Sequence, residues 1–296
     1  MNTDHEWQHQ SYILDKNLGA RMDLSAEDLP QMNADGRTVL RPTQEQKYLL
    51  DSRGWLLIPG VLTEDELAEM REFCVRLQHE PKSIPESKRS ALGGPLQKLA
   101  DHPVVVGIMN EFVAHPQLSS QTCYGFRMES ANLFYRTLGD GEFRPHNGNG
   151  MLRLPGDSHI YRCIPGKAHS GLTRTVWELN PVETNDGGTL FITGSHKAVY
   201  TAPKSAQELQ SSLWETYRCP AGSLIVFTEA LTHSGQPWKN PDRDRIAIFS
   251  CYNTINSKWH SWEPSPSLLT TMPPKRQTLF RPVWAENNLT GKQYRH

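Results

Sequence analysis

The chain has 296 residues, 37% of them hydrophobic and 21% charged, with a formal net charge of -1. Such a composition belongs to a folded globular protein long enough to bury a core, and the near-neutral balance argues against nonspecific binding to nucleic acid or a membrane surface. Cys74, Cys123, Cys163, Cys219 and Cys251 are odd in number and form no Cys-x-x-Cys pair, so neither a disulfide framework nor a zinc ribbon is indicated, and a reduced cytoplasm fits best. The polar start MNTDHEWQHQ lacks the features of a signal peptide, and no run reaches the ~18 apolar residues of a membrane span.

Residues 1–42 lack clean periodicity and read as an arm wrapped on one domain that runs from 43 to 296. Thr43 with Gln46 forms a capping box that opens a short helix through Leu50, which Gly54 ends. The apolar run WLLIPG reads as a strand stopped by Pro59 and Gly60. Thr63 and Glu66 make a second capping box, Leu62 can staple onto Leu67, and Leu67, Met70, Cys74 and Leu77 recur at helical spacing. HPVVVGIMNEFVAHP predicts a further helix between two prolines. From Thr122 the texture turns to short strands punctuated by Gly and Pro, among them TRTVWELNPV, GTLFITG, GSLIVFTEA and RIAIFSCYN. Helices first and strands after predict an α+β layout with helices buttressing a β core. From about residue 256 an aperiodic tail, rich in Trp, Pro and Lys, is expected to cross the mouth of that core.

Two residues have a context that points to chemistry. His233 follows the strand SLIVFT and precedes Ser234 and Gly235, which puts its imidazole at a strand end. Arg245, twelve residues later, shares one strand face with Ala247, Phe249 and Cys251. A guanidinium directed inward among such neighbours needs an anionic partner. A structural salt bridge to an Asp or Glu and an anionic ligand both satisfy that need.

Upstream, Gly141, Glu142, Pro145 and His146 form a Gly-Glu-x-x-Pro-His segment that resembles the metal-binding stretch of the phytanoyl-CoA dioxygenase family. GWLLIPGVLTEDEL resembles that family's opening strand and helix, DGGTLFITGSHK its central strand and turn, and THSG followed by Arg245 its closing segment. The resemblance runs from about 43 to 253, with four motifs in order. It implies a double-stranded β-helix (jelly-roll) core, iron(II) bound by His146 and His233, and 2-oxoglutarate anchored on Arg245. It further implies O2-dependent oxidation of an unactivated C–H bond of a small molecule, with succinate as coproduct. Imidazoles suit iron, and the planar guanidinium fork suits a carboxylate. Tyr135 occupies a place where family members often put a second cosubstrate contact, and is equally readable as a core aromatic.

One departure bears on the reaction. The family's ligand set is two histidines and a carboxylate, the carboxylate two residues after the first histidine; here that residue is Gly148. Iron halogenases that resemble the family have Gly or Ala there, with chloride in the vacated place, so chlorination stands beside hydroxylation. Asp157 with His159, Glu142 or Glu178 can instead supply the missing ligand, or water can fill the position. An inactive domain, a noncatalytic jelly-roll binding module and a cupin-like enzyme using its metal as a Lewis acid are the remaining readings. His169, Trp177 and Glu178 are placed near the pocket mouth, and His196 in a turn. The small-molecule substrate and the oligomeric state do not follow from the sequence.

Overall fold

The computed structural model describes residues 29–147, 159–164 and 166–283, together with short strands at 288–289 and 292–293. Helix α1 (Gln44–Arg53) opens on the Thr43 capping box and ends at Gly54, whose φ of 80° is the left-handed conformation that a glycine adopts without a Cβ penalty. Strand β1 (Trp55–Ile58) leads to helix α2 (Glu64–His79), opened by the Thr63–Glu66 box, with Leu67, Met70, Phe73 and Cys74 buried along one face. Helix α3 (Pro103–Phe112) is apolar almost all round and correspondingly buried, with His102 as its N-cap.

The strands that follow are β2 (Phe126–Arg136), β3 (Tyr161–Ile164), β4 (Lys167–Ser170), β5 (Thr173–Glu178), β6 (Leu190–Phe191), β7 (Ser223–Thr228), β8 (His233–Ser234) and β9 (Arg245–Thr254). Five of them form one antiparallel sheet in the order β1-β7-β5-β9-β2. Of the expected segment GTLFITG only Leu190 and Phe191 pair with β8, between Gly187 and Gly194, which both have positive φ. β6 and β8 form a small second sheet, extended by single bridges from His233 to His146 and from Phe191 to Glu215.

The alternation of strand side chains sends them to two cores. One face, with Leu56, Trp177, Leu224, Val226, Ile246, Ile248 and Tyr252, packs under α2 and α3. The opposite face, with Trp55, Val176, Ile225, Phe227, Ala247 and Phe249, meets Phe191, Tyr217, Leu231 and Trp238 from the second layer. Trp177 therefore belongs to the helix-covered core, edge-on to His102, and not to a pocket mouth.

The described part of the N-terminal arm is tied down. Leu40 N–H donates to Pro103 O at 3.2 Å, and Arg276 bridges Asp35 (2.6 Å) and Asp101 (2.7 Å). The tail is fastened over the sheet by Glu129, a fully buried carboxylate that accepts from the Trp259 and His260 backbone N–H groups and from Asn253 Nδ2. Glu129 is the extra residue of a β-bulge between Met128 and Ser130. No described helix is long and apolar enough to cross a membrane.

Candidate active site

His146 and His233 meet at the edge of the second layer. Each backbone N–H donates to the other's carbonyl at 3.1 Å, and the ring centroids are 4.1 Å apart. The Nδ1 of His233 lies 2.9 Å from Leu231 O, and that of His146 2.8 Å from Arg144 O. An N–H on Nδ1 held by a carbonyl leaves Nε2 as the lone-pair donor, the arrangement in which a histidine ligates a metal. Burial holds His233 well below the usual imidazole range, at about 4, against the opposing pull of Glu229 and with the help of neighbouring His146, so its ring is neutral at pH 7 and able to donate.

Both rings line a cavity of about 340 Å³ whose wall includes Phe134, Arg136, Arg174, Thr189, Arg245 and Phe249. Arg245 is fully buried and carries a partner of its own. Its Nε (3.2 Å) and Nη2 engage the Glu178 carboxylate, and Nη2 also reaches Tyr217 Oη at 3.0 Å and Thr189 Oγ1 at 3.2 Å. Burial would lower the pKa of Arg245; the facing Glu178 carboxylate outweighs it and keeps the guanidinium charged. Nη1 makes no hydrogen bond among the described residues, so one edge of the guanidinium remains for a ligand in the cavity. Glu178, weighed as a metal ligand from the sequence, is thereby committed to Arg245 at the floor of the site.

Arg136 pairs with Arg245 in the β2–β9 register and shares its face. Its pKa is pushed down, first by burial and then by the charge of Arg245. Tyr135, one position earlier, points the other way: its ring lies edge-on to His79 of α2 and its Oη donates to Asp244 at 3.0 Å. The cosubstrate contact expected of Tyr135 is thus not met, because the pleat gives the cavity position to Arg136.

Gly148 and Asp157 lie outside the described residues. Glu142 lines the cavity, whereas His159 stands edge-on to Trp259 with ring centroids 4.5 Å apart. His169 is buried on β4, opposite Arg162. His196 serves the turn, its Nε2 2.9 Å from Asp51 O.

Sequence reasoning missed Arg136, Arg174 and Glu229. Glu229 is 2% exposed, forms an ion pair with Arg174, and accepts from Asn147 Nδ2. Burial alone would raise its pKa; Arg174 and His233 overcome that and bring it to about 2. An arginine at an inward position of TRTVWE was the available signal, since it demanded an acid somewhere on that face. Among the described residues no three His, Cys, Asp or Glu side chains form a ready-made metal cluster.

A helix-buttressed antiparallel sheet closed by a short-stranded second layer is a jelly-roll architecture, here with two histidines and an inward arginine on one cavity. The sequence matches the model of the phytanoyl-CoA dioxygenase (PhyH) family over residues 50–247, and the chain belongs to that family. HygX from Streptomyces hygroscopicus, with nickel, 2-oxoglutarate and hygromycin B bound, is similar at 20% identity and a TM-score of 0.59, over 75% of this chain and 90% of that one. SnoK, a non-heme alpha ketoglutarate dependent carbocyclase from nogalamycin biosynthesis, matches at 14% identity and a TM-score of 0.52, over 87% and 97%. EctD from S. alaskensis matches at 15% identity and a TM-score of 0.52, over 90% of each chain. At these identities the likeness concerns the fold, a double-stranded β-helix. No curated protein matches the sequence.

Proposed function

We propose that the chain binds iron(II) through Nε2 of His146 and His233, anchors 2-oxoglutarate on Arg245, and oxidises an unactivated C–H bond of a small molecule. The observation that carries this reading is the convergence of both imidazoles and the guanidinium on one cavity. The donor set fits the ion: two neutral imidazoles with Nδ1 engaged suit a divalent first-row metal. The cavity also fits the cosubstrate. Among its described lining residues, Arg245 and Arg174 are each paired with a buried carboxylate, Glu178 and Glu229, while Arg136 and Arg144 stand against the single acid Glu142, a remaining positive balance that suits an anionic cosubstrate. That HygX holds 2-oxoglutarate in the same fold supports the reading.

Bound iron supplies the activation of O2, with 2-oxoglutarate as the two-electron co-reductant that leaves as succinate and CO2. The protein's own residues set the stage. Arg245 offers its Nη1 edge to the distal carboxylate while Glu178, Tyr217 and Thr189 fix the guanidinium plane. Arg136 adds a second positive charge at the same end of the cavity. Phe134 and Phe249, with ring centroids 4.3 Å apart, give the cavity an apolar wall.

For hydroxylation the balance is substrate C–H plus O2 plus 2-oxoglutarate to C–OH, succinate and CO2. For chlorination, chloride and a proton are consumed and water is formed. The test is succinate formation with oxygen uptake in the presence of Fe(II) and 2-oxoglutarate, products being followed by mass spectrometry with and without chloride. Turnover in the wild type and none in His233→Ala is expected. Succinate formed equally by His233→Ala would overturn the reading.

A further inference from the structure

We propose that Glu229 is the third protein ligand of the metal, its carboxylate replacing the one that the His146-Asn147-Gly148 segment lacks. The inference rests on the iron-site reading above and specifies its coordination. Oε2 of Glu229 lies 3.7 Å from Nε2 of His233. Two donors each about 2.1 Å from one ion, at an angle of 90° to 120°, are about 3.0–3.6 Å apart, so a shift of a few tenths of an ångström brings this pair onto a shared ion.

The location is equally telling. Asn147, the residue between His146 and Gly148, donates its side-chain amide to that same Oε2, and Thr232 Oγ1 donates to Asn147 O at 3.1 Å. The Glu229 carboxylate therefore rests against Asn147, the residue that precedes, in sequence, the position at which the family carries its ligand carboxylate. Asn147 itself has a φ of 62°, a left-handed conformation uncommon outside glycine, which turns the chain at this point. Glu229 is held as ligand carboxylates are held: Arg174 takes Oε1 and leaves Oε2 as the coordinating atom.

Two histidines joined by a single backbone bridge and a carboxylate make the facial set that leaves open positions for cosubstrate and oxygen. With Glu229 in it, the place that chloride would need is taken, and hydroxylation becomes the outcome this site supports.

The test is titration of the purified full chain with Co(II), read by visible absorption and calorimetry and independent of turnover. Wild type is expected to bind one ion. Glu229→Gln, nearly isosteric, is expected to weaken binding at least about 100-fold, beyond what loss of an outer-shell hydrogen bond produces, and Gly148→Asp added to Glu229→Gln is expected to restore it to within about tenfold. If Glu229→Gln does not fold, Arg174→Met with Glu229→Leu, which removes the pair together, carries the same comparison. Wild-type Co(II) affinity in the Glu229 variant, with binding lost in His233→Ala, would overturn the Glu229 assignment and leave the two-histidine site standing. No Co(II) binding by wild type would overturn both.

Discussion

His146 and His233 are joined through their main chains before they can be joined by a metal: each donates its N–H to the other's carbonyl across a single antiparallel bridge. That pairing holds the rings at 4.1 Å. Ser234 supports it from the neighbouring position, its Oγ accepting the Arg144 N–H at 2.8 Å. Ser234→Ala removes an acceptor that fixes the His146 strand, and metal affinity is expected to fall about tenfold, the lower end of outer-shell effects. Calorimetric titration with Co(II) measures it; an unchanged affinity would contradict this role.

Arg245 and Glu178 behave as a unit. Removing one member leaves the other buried and uncompensated, at a cost of about 3–5 kcal/mol. Arg245→Leu is accordingly expected to lower the urea midpoint strongly, and Arg245→Leu with Glu178→Leu to recover most of the loss. Neither variant is expected to bind 2-oxoglutarate, which separates the structural duty of the pair from the ligand's use of Nη1. Retained 2-oxoglutarate binding in the double variant would contradict that.

Arg136 contributes charge from the same face with no ion-paired carboxylate among the described residues. Arg136→Gln is expected to raise the KM for 2-oxoglutarate about tenfold, roughly the 1.4 kcal/mol of a single screened charge contact, with kcat and the urea midpoint little changed. A fall in kcat alone would assign it another task.

His102 and His169 are buried, and burial pushes their pKa values down to about 4 and about 3. The N-cap geometry agrees for His102, whose Nδ1 accepts the Val104 N–H and so must be unprotonated. Both rings are neutral when folded and take up protons on unfolding below their ordinary value of 6.5. Stability is thus fully present above pH 6.5 and declines as the pH falls toward 4, by up to about 1.4 kcal/mol per pH unit for each ring. Urea midpoints of the metal-free protein at pH 7.5 and 5.5 test this, and His169→Gln is expected to flatten the profile.

Gly107 lets the arm dock on α3. A Cβ there would stand 1.9 Å from Leu40 O, so Gly107→Ala must push the arm off the helix. A loss of about 1–3 kcal/mol is expected, with faster proteolysis around residue 40. Unchanged stability would mean that the arm contributes nothing to folding.

The helices were readable because their signals are local: the Thr43–Gln46 and Thr63–Glu66 boxes lie within a single turn, and both form as expected. The inward face of β9 was readable from alternation alone, and it carried Arg245 correctly. Tyr135 was suggested by the family resemblance and not by alternation, and register with β9 puts Arg136, not Tyr135, opposite Arg245, leaving Tyr135 the core-facing reading. Glu229 was not legible for a longer-range reason: its partner Arg174 is 55 residues away in the chain, and Asn147 is 82 away. Only the fold puts the three together.

His146, His233 and Arg245 are proposed to form one iron and 2-oxoglutarate site. The most direct measurement is the visible absorption of anaerobic protein with Fe(II) and 2-oxoglutarate. A weak metal-to-ligand charge-transfer band is expected in the wild type and is expected to vanish in His233→Ala and in Arg245→Ala. A band that persists in both variants, or that never forms in the wild type, would overturn the assignment of this site.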